Sequence, residues 1–258
     1  MNKPVFVFDV DKTLTNLKRE ITPRTQTVLK KLQQKGYVTA VATGRKFSTL
    51  INSVMPFFPP ESLHIVAGGG EIVKTKGDVV WQKLIPEKYL ELIYELVKQN
   101  GGDIFYSKGE DYFIPTRLSN TFKNDQRKIK VKTFTLNTFN KLTEVTINGV
   151  TENLKTELNK IEDLTKKYMT SYNNLPYVDI TAKEVNKAST LMIWAELQKI
   201  NLTDIISFGD SQGDLEMLQL TGKGIAMGNA TDEIKSIAHE VIGHTDENGL
   251  ALYLEKYL

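Results

Sequence analysis

Residues 5–8 read VFVF, and the chain then turns acidic with Asp9, Val10 and Asp11. A strand with one face in water alternates apolar and polar side chains, whereas an unbroken apolar run suits a strand buried on both faces. Strands of that kind occur in parallel sheets sandwiched by helices. The run therefore reads as a core strand that ends in two carboxylates two residues apart. Taken alone, such an ending is an ordinary solvated strand terminus. What the other strands end in decides whether it is more than that.

The flanking pattern repeats the same logic. Thr22-Pro23 is a helix start, with Thr22 as N-cap and Pro23 in the first turn. Val28, Leu29 and Leu32 follow at helical spacing, and Gly36 is a stop. A strand at 37–42, a helix at 46–54 and a strand at 64–67 come next, then a hairpin with arms at 71–74 and 79–82. The middle third differs. Ile85-Pro86 reads as a linker, followed by an amphipathic helix carrying Tyr89, Leu90, Ile93, Leu96 and Val97. Short strands are expected at 103–107, 112–115, 131–135, 144–147, 169–172 and 178–181. Helices are expected at 116–126 and from Leu154 through Tyr168. After residue 182 alternation resumes, with helices at 187–199, 214–220 and 231–238 and strands at 204–208, 224–227 and 240–242. The fold class expected is α/β, a Rossmann-like parallel-sheet core with an inserted α+β cap domain. The core is assigned to residues 1–84 and 183–258, and the cap to 85–182.

Composition narrows the function. The chain of 258 residues carries a formal net charge of +2, too little to suggest nucleic acid or an acidic membrane as partner. It has no cysteine, which excludes disulfides and thiol catalysis. His64, His239 and His244 are widely spaced, which argues against a zinc site. No apolar stretch approaches a membrane span, and the four residues before VFVF are too short for a signal peptide, so a cytoplasmic protein is expected.

In a parallel sheet, ligands bind beyond the carboxyl ends of the strands. Four stretches meet there: DVDKT at 9–13, ATGR at 42–45, Asn186-Lys187 before a helix, and GDSQGD at 209–214. In type and order they resemble the motifs of the haloacid dehalogenase-like hydrolase superfamily, in particular its Cof-like branch of capped sugar-phosphate phosphatases. The run GIAMGNA at 224–230 is similar to that branch as well.

The resemblance implies a phosphatase that works through an aspartyl-phosphate. Asp9 is the expected nucleophile. Asp11 is the expected general acid and base, with a carboxyl raised by its anionic neighbours, while a cation keeps Asp9 ionised. Lys187 is expected to neutralise the phosphoryl oxygens, with the Thr43 hydroxyl and the Gly44 amide hydrogen-bonding them. A dianionic phosphate among carboxylates needs a counter-charge, and hard oxygen ligands select Mg²⁺. By resemblance its ligands are Asp9, the main-chain carbonyl of Val10 and Asp210, with Asp214 bound directly or through water. The expected partner is a small phosphorylated metabolite. A phosphotransferase or phosphomutase using the same intermediate is one alternative, since FDVDKTLT also resembles phosphomannomutases. A non-catalytic phosphometabolite-binding regulator is the other.

Each of these residues has a plainer reading. Thr43, Asp210 and Asp214 are also good helix caps, Arg45 suits a structural ion pair, and a helix lysine such as Lys187 is commonly exposed. Tyr106, Tyr112 and Phe113 suit a core as well as a pocket, and Lys123, Arg127, Lys128, Lys130 and Lys132 read as a solvated basic face. Three positions depart from the family pattern: Lys12 and Gly213 stand where glycine and asparagine are usual, and Gly68-Gly69-Gly70 replaces Asn-Gly-Ala.

Overall fold

All four residues of β1 (Val5–Phe8) are buried, and the strand sits inside a five-stranded sheet. The computed structural model describes residues 3–118, 128–170 and 174–258. From β1 the chain passes through α1 (Pro23–Gln34), β2 (Thr39–Val41), β3 (Leu63–Val66), β4 (Glu71–Lys74) and β5 (Val79–Gln82). It continues with α2 (Glu87–Asn100), β6 (Asp103–Lys108), β7 (Asp111–Ile114), β8 (Lys130–Thr133), β9 (Glu144–Asn148), α3 (Glu152–Asn159), β10 (Leu164–Thr170) and β11 (Pro176–Ala182). The last third holds α4 (Lys187–Gln198), β12 (Ile205–Gly209), α5 (Leu215–Leu220), β13 (Lys223–Ala226), α6 (Asp232–Ile237), β14 (Glu240–Val241) and α7 (Gly249–Leu254). No described helix is long and apolar enough to cross a membrane.

The first sheet runs β14-β13-β12-β1-β2 with every neighbour parallel. Its strands come from both ends of the chain, and a six-stranded sheet, β10-β11-β9-β6-β7-β8, is formed wholly between them. The fold is thus an α/β core with an inserted α+β cap, as the alternation of elements implied. The register fixes what leaves the sheet together. The Asp9 N–H donates to Phe208 C=O at 2.9 Å, and the Ala42 N–H donates to Phe8 C=O at 2.8 Å. Residues 9, 43 and 210 therefore emerge side by side from three adjacent strands.

Two expected helices take other forms. Segment 46–54 is a short 3₁₀ turn at Phe47–Thr49 followed by irregular turns, because Thr49 Oγ1 donates to Lys46 C=O and Ser53 Oγ to Thr49 C=O. The helix expected through Tyr168 stops at Asn159, and residues 164–170 form strand β10. Leu164 and Tyr168 are four apart, a spacing that places side chains on one face in either a helix or a strand. Only the 3₁₀ start, Thr116–Leu118, of the helix expected at 116–126 is described; the rest lies outside the described residues, as do Lys123, Arg127 and the end of the strand expected at 169–172. Lys130 and Lys132 pair with Asp111 at the surface, at 3.3 and 3.0 Å.

His64 illustrates what burial does in the core. Its Nδ1 accepts from the Val41 N–H at 3.2 Å and its Nε2 lies 2.9 Å from Thr75 Oγ1, so the ring is neutral with the proton on Nε2. Burial pushes its pKa from 6.5 down to about 3. Unfolded chains take up this proton below pH 6.5 and the folded chain does not, so this contribution to stability is complete above 6.5 and is lost as pH falls toward about 3. In urea titrations between pH 6.5 and about 4.5, the wild-type unfolding free energy should fall more steeply than that of His64→Asn, by about 1.4 kcal/mol per pH unit. Equal slopes would mean that the folded protein protonates this ring.

Candidate active site

The loop after β1 is a wide turn. Leu14 N–H donates to Asp9 C=O at 3.2 Å and Thr15 N–H to Val10 C=O at 2.9 Å. Lys12 sits in it at φ 60° and ψ 11°, the left-handed region. That geometry accounts for glycine in the related motif, because a side chain there costs about 1–2 kcal/mol. Two later residues hold the turn: Asn229 Nδ2 donates to Lys12 C=O at 2.8 Å, and Thr245 Oγ1 to Thr15 C=O at 3.0 Å. The Val10 carbonyl accepts from both the N–H and the Oγ1 of Thr15, each at 2.9 Å. Both its lone pairs are engaged inside the turn.

Lys187 comes from the first turn of α4, where Asn186 and Ser189 form a reciprocal cap. The glycine run seats that cap. Gly69 lies at φ 102°, and a Cβ there would overlap the Asn186 carbonyl. Lys187 is buried, with its Nζ 2.6 Å from Asp9 Oδ1 and 2.6 Å from Asp214 Oδ1. Burial works against its charge, but Asp214 and Asp9 outweigh it and hold the ammonium firmly protonated. The exposed-lysine alternative does not hold here.

Asp214 is fully buried, and its second oxygen accepts from the N–H groups of Asp210 and Ser211 and from Ser211 Oγ, at 3.1–3.2 Å. It folds the 209–214 loop around itself and orients Lys187. Asp9, Asp210 and Asp214 each offer an oxygen, all within 4.8 Å of one another. Burial first, then the charge of Asp9 and Asp214, pushes Asp210 up to about 8. Burial likewise lifts Asp9 to about 7, even though Lys187 pulls it down. Lysine alone therefore does not offset three buried carboxylates. An all-oxygen, excess-negative cluster of this kind fits a hard divalent cation.

Asp11 departs from expectation. Burial would raise its carboxyl, but Arg45 forks onto it, Nε to Oδ2 at 2.7 Å and Nη2 to Oδ1 at 2.5 Å, and the net shift is downward. Arg45, which the sequence suited to a structural ion pair, thus takes Asp11 as its partner. Thr43 is buried, and its Oγ1 accepts from the Arg45 N–H at 3.1 Å. Among the described residues nothing accepts from the Gly44 N–H, and space is open beside its Cα. Tyr106 and Phe113 are stacked inside the cap core, whereas Tyr112 lies on the opposite sheet face and within electrostatic reach of Lys46. Asn229 and Ser211 were not singled out for these roles from sequence, and the ion-pair reading of Arg45 did not name Asp11 as its partner. The GIAMGNA match was the one signal for Asn229.

A family model described as haloacid dehalogenase-like hydrolase matches residues 6–254. The chain belongs to this family. A Bacillus subtilis (strain 168) relative, 5-amino-6-(5-phospho-D-ribitylamino)uracil phosphatase YitU, is 26% identical, covering 99% of this chain and 98% of that protein. Among solved structures, a haloacid dehalogenase-like hydrolase from Bacteroides thetaiotaomicron superposes with a TM-score of 0.84 at 22% identity over the full length of both chains. The HAD subclass IIB sugar phosphatase BT4131 gives 0.82 at 21% identity, with 99% of each chain covered.

Replacing Lys187 by methionine removes an ammonium bonded to two buried carboxylates. In chelator-treated protein near pH 8, Lys187→Met should lower the urea-unfolding free energy by roughly 3–5 kcal/mol. The loss should shrink near pH 5, below the raised carboxyl of Asp9. An unchanged stability at both pH values would contradict the pairing.

Proposed function

We propose that this chain is a Mg²⁺-dependent phosphatase for a small phosphorylated metabolite, with sugar phosphates as the substrate class. The observation that carries this reading is the placement of Asp9 at a central strand exit, 2.6 Å from a buried lysine and clustered with Asp210 and Asp214. A second carboxylate, Asp11, stands two residues on, and an unused N–H at Gly44 opens from the neighbouring strand end. The Bacillus subtilis relative is described as a 5-amino-6-(5-phospho-D-ribitylamino)uracil phosphatase and BT4131 as a sugar phosphatase, which supports the substrate class.

In this reading Asp9 attacks phosphorus and Asp11 gives a proton to the departing ester oxygen, leaving an aspartyl-phosphate. Asp11 then takes a proton from water, which attacks phosphorus and frees Asp9 and inorganic phosphate. The Arg45 fork keeps Asp11 ionised before substrate arrives, and a phosphoryl dianion beside it shifts its carboxyl upward for the first step. Lys187, the Thr43 hydroxyl and the Gly44 N–H hold the phosphoryl oxygens. Asp9 and Asp210 would hold the cation, with Asp214 bracing the loop; when bound, Mg²⁺ offsets the carboxylates and polarises the phosphoryl group. Residues 85–182 act as the cap, which covers the substrate and excludes bulk water.

With p-nitrophenyl phosphate and a panel of sugar phosphates, wild type should release phosphate only when Mg²⁺ is present. Asp9→Asn should lower kcat by about 10³-fold or more, and equal rates would refute the nucleophile assignment. Adding a sugar acceptor should leave phosphate release dominant; a phosphorylated acceptor as main product would make the enzyme a transferase. In thermal unfolding without substrate, saturating Mg²⁺ should stabilise wild type, by about 2.7 kcal/mol at a hundredfold excess over Kd. Asp210→Asn should remove most of that gain.

A further inference from the structure

We propose that Lys167 is an anion-binding residue that the cap delivers to the phosphoryl site, and that the missing side chain at Gly213 is what admits it. The inference rests on the phosphatase reading and adds to it a residue from outside the four motifs.

The cap sheet has two unlike faces. Strand alternation places Val145, Ile147, Val178 and Ile180 on the side buried within the cap. The pairs Lys167–Asp179 and Thr146–Asp179 put those three residues, with Glu144 and Tyr177, on the other side. That side meets the core: Lys46 Nζ lies 2.7 Å from Thr146 Oγ1 and 2.8 Å from Glu144 Oε2, and the Ser48 and Ser107 hydroxyls are 2.7 Å apart.

Lys167 reaches the acidic loop at Gly213. A Cβ at position 213 would overlap its Nζ and would lie 3.0 Å from its Cε. Gly213 is not in the left-handed region, so the backbone does not demand glycine; a side chain there would instead push the flexible end of Lys167 aside. This gives a physical reason for the departure from asparagine in GDSQGD. Lys167 is only partly exposed, and among the described residues its Nζ forms no ion pair or hydrogen bond. It nonetheless lies in the field of the active-site groups: burial and Lys187 disfavour its charge, while Asp214, Asp9 and Asp179 favour it.

A partly buried ammonium without a partner is costly, and an arriving anion relieves that cost. Lys187 cannot meet the demand alone. Two of its three donors already serve Asp9 and Asp214. Lys167 keeps all of its donors for the ligand. The ligand it fits is the phosphoryl dianion shared by a phosphomonoester substrate and inorganic phosphate.

The test compares wild type with Lys167→Met, Lys167→Gln, Lys167→Arg and Gly213→Asn, each in Mg²⁺ and each checked for an unchanged thermal midpoint. The readouts are KM and kcat for p-nitrophenyl phosphate, the inhibition constant of inorganic phosphate, and direct calorimetric binding of phosphate. Lys167→Met and Lys167→Gln should weaken phosphate by about tenfold or more and raise KM more than they lower kcat, while Lys167→Arg retains much of the affinity. Gly213→Asn should reproduce the defect, and adding it to Lys167→Met should cost little more. Unchanged phosphate affinity in both neutral variants, or fully additive defects in the double variant, would overturn the proposal. If wild type hydrolysed no phosphomonoester, the phosphatase reading would fail, and the calorimetric comparison would still decide the role of Lys167.

Discussion

The buried pairing of Lys187 with Asp9 and Asp214 is the contact on which the site depends. It joins the exit of β1, the first turn of α4 and the loop after β12, with both N–O distances at 2.6 Å. Breaking a buried pair of this kind strands a charge, so each of the three segments is held against the other two. The surrounding structure serves the same contact. Gly69 lets Asn186 seat the helix that carries Lys187, and the Asp210 and Ser211 N–H groups fix the Asp214 carboxylate. The lysine is outnumbered, and burial first, then the charge of neighbouring carboxylates, raises Asp9 and Asp210.

The two faces of the cap sheet extend this logic to the other half of the molecule. Its apolar face packs on α2 and α3 and stabilises the cap, which frees the opposite face to carry Glu144, Thr146, Lys167, Tyr177 and Asp179. That polar face is the one turned toward the core and its carboxylate-rich strand edge. Its contacts with the core run through Lys46 and Ser48, which follow β2, and the neighbouring Thr143 hydroxyl donates to Glu71 at the start of β4.

Much of the core was legible in the sequence. The hairpin arms at 71–74 and 79–82 and the start of α4 at Lys187 fall where expected, because turn residues and capping signals are local. Segment 164–168 was misread, because a spacing of four fits both periodicities and only pairing with β11 selects the strand. Lys12 was odd in sequence and is explained by a left-handed backbone angle that composition does not display. Val10 and Asp11 show what a motif does not display. Their place in the motif was plain, but the state of a carbonyl or carboxyl depends on partners, here Thr15 and Arg45.

The sequence by itself determined which chemical groups stand at the strand exits: Asp9 and Asp11, Thr43 and Gly44, Asp210 and Asp214, with Lys187 opening a helix. It did so because strand ends and helix starts are written in local patterns of polarity and capping. Tertiary structure alone decided whom each group meets. Asp9 and Lys187 are 178 residues apart, Arg45 turns onto Asp11, and Lys167 enters over Gly213 from another sheet. Those meetings follow from register and close packing between distant segments, and they set the charge states on which the chemistry rests.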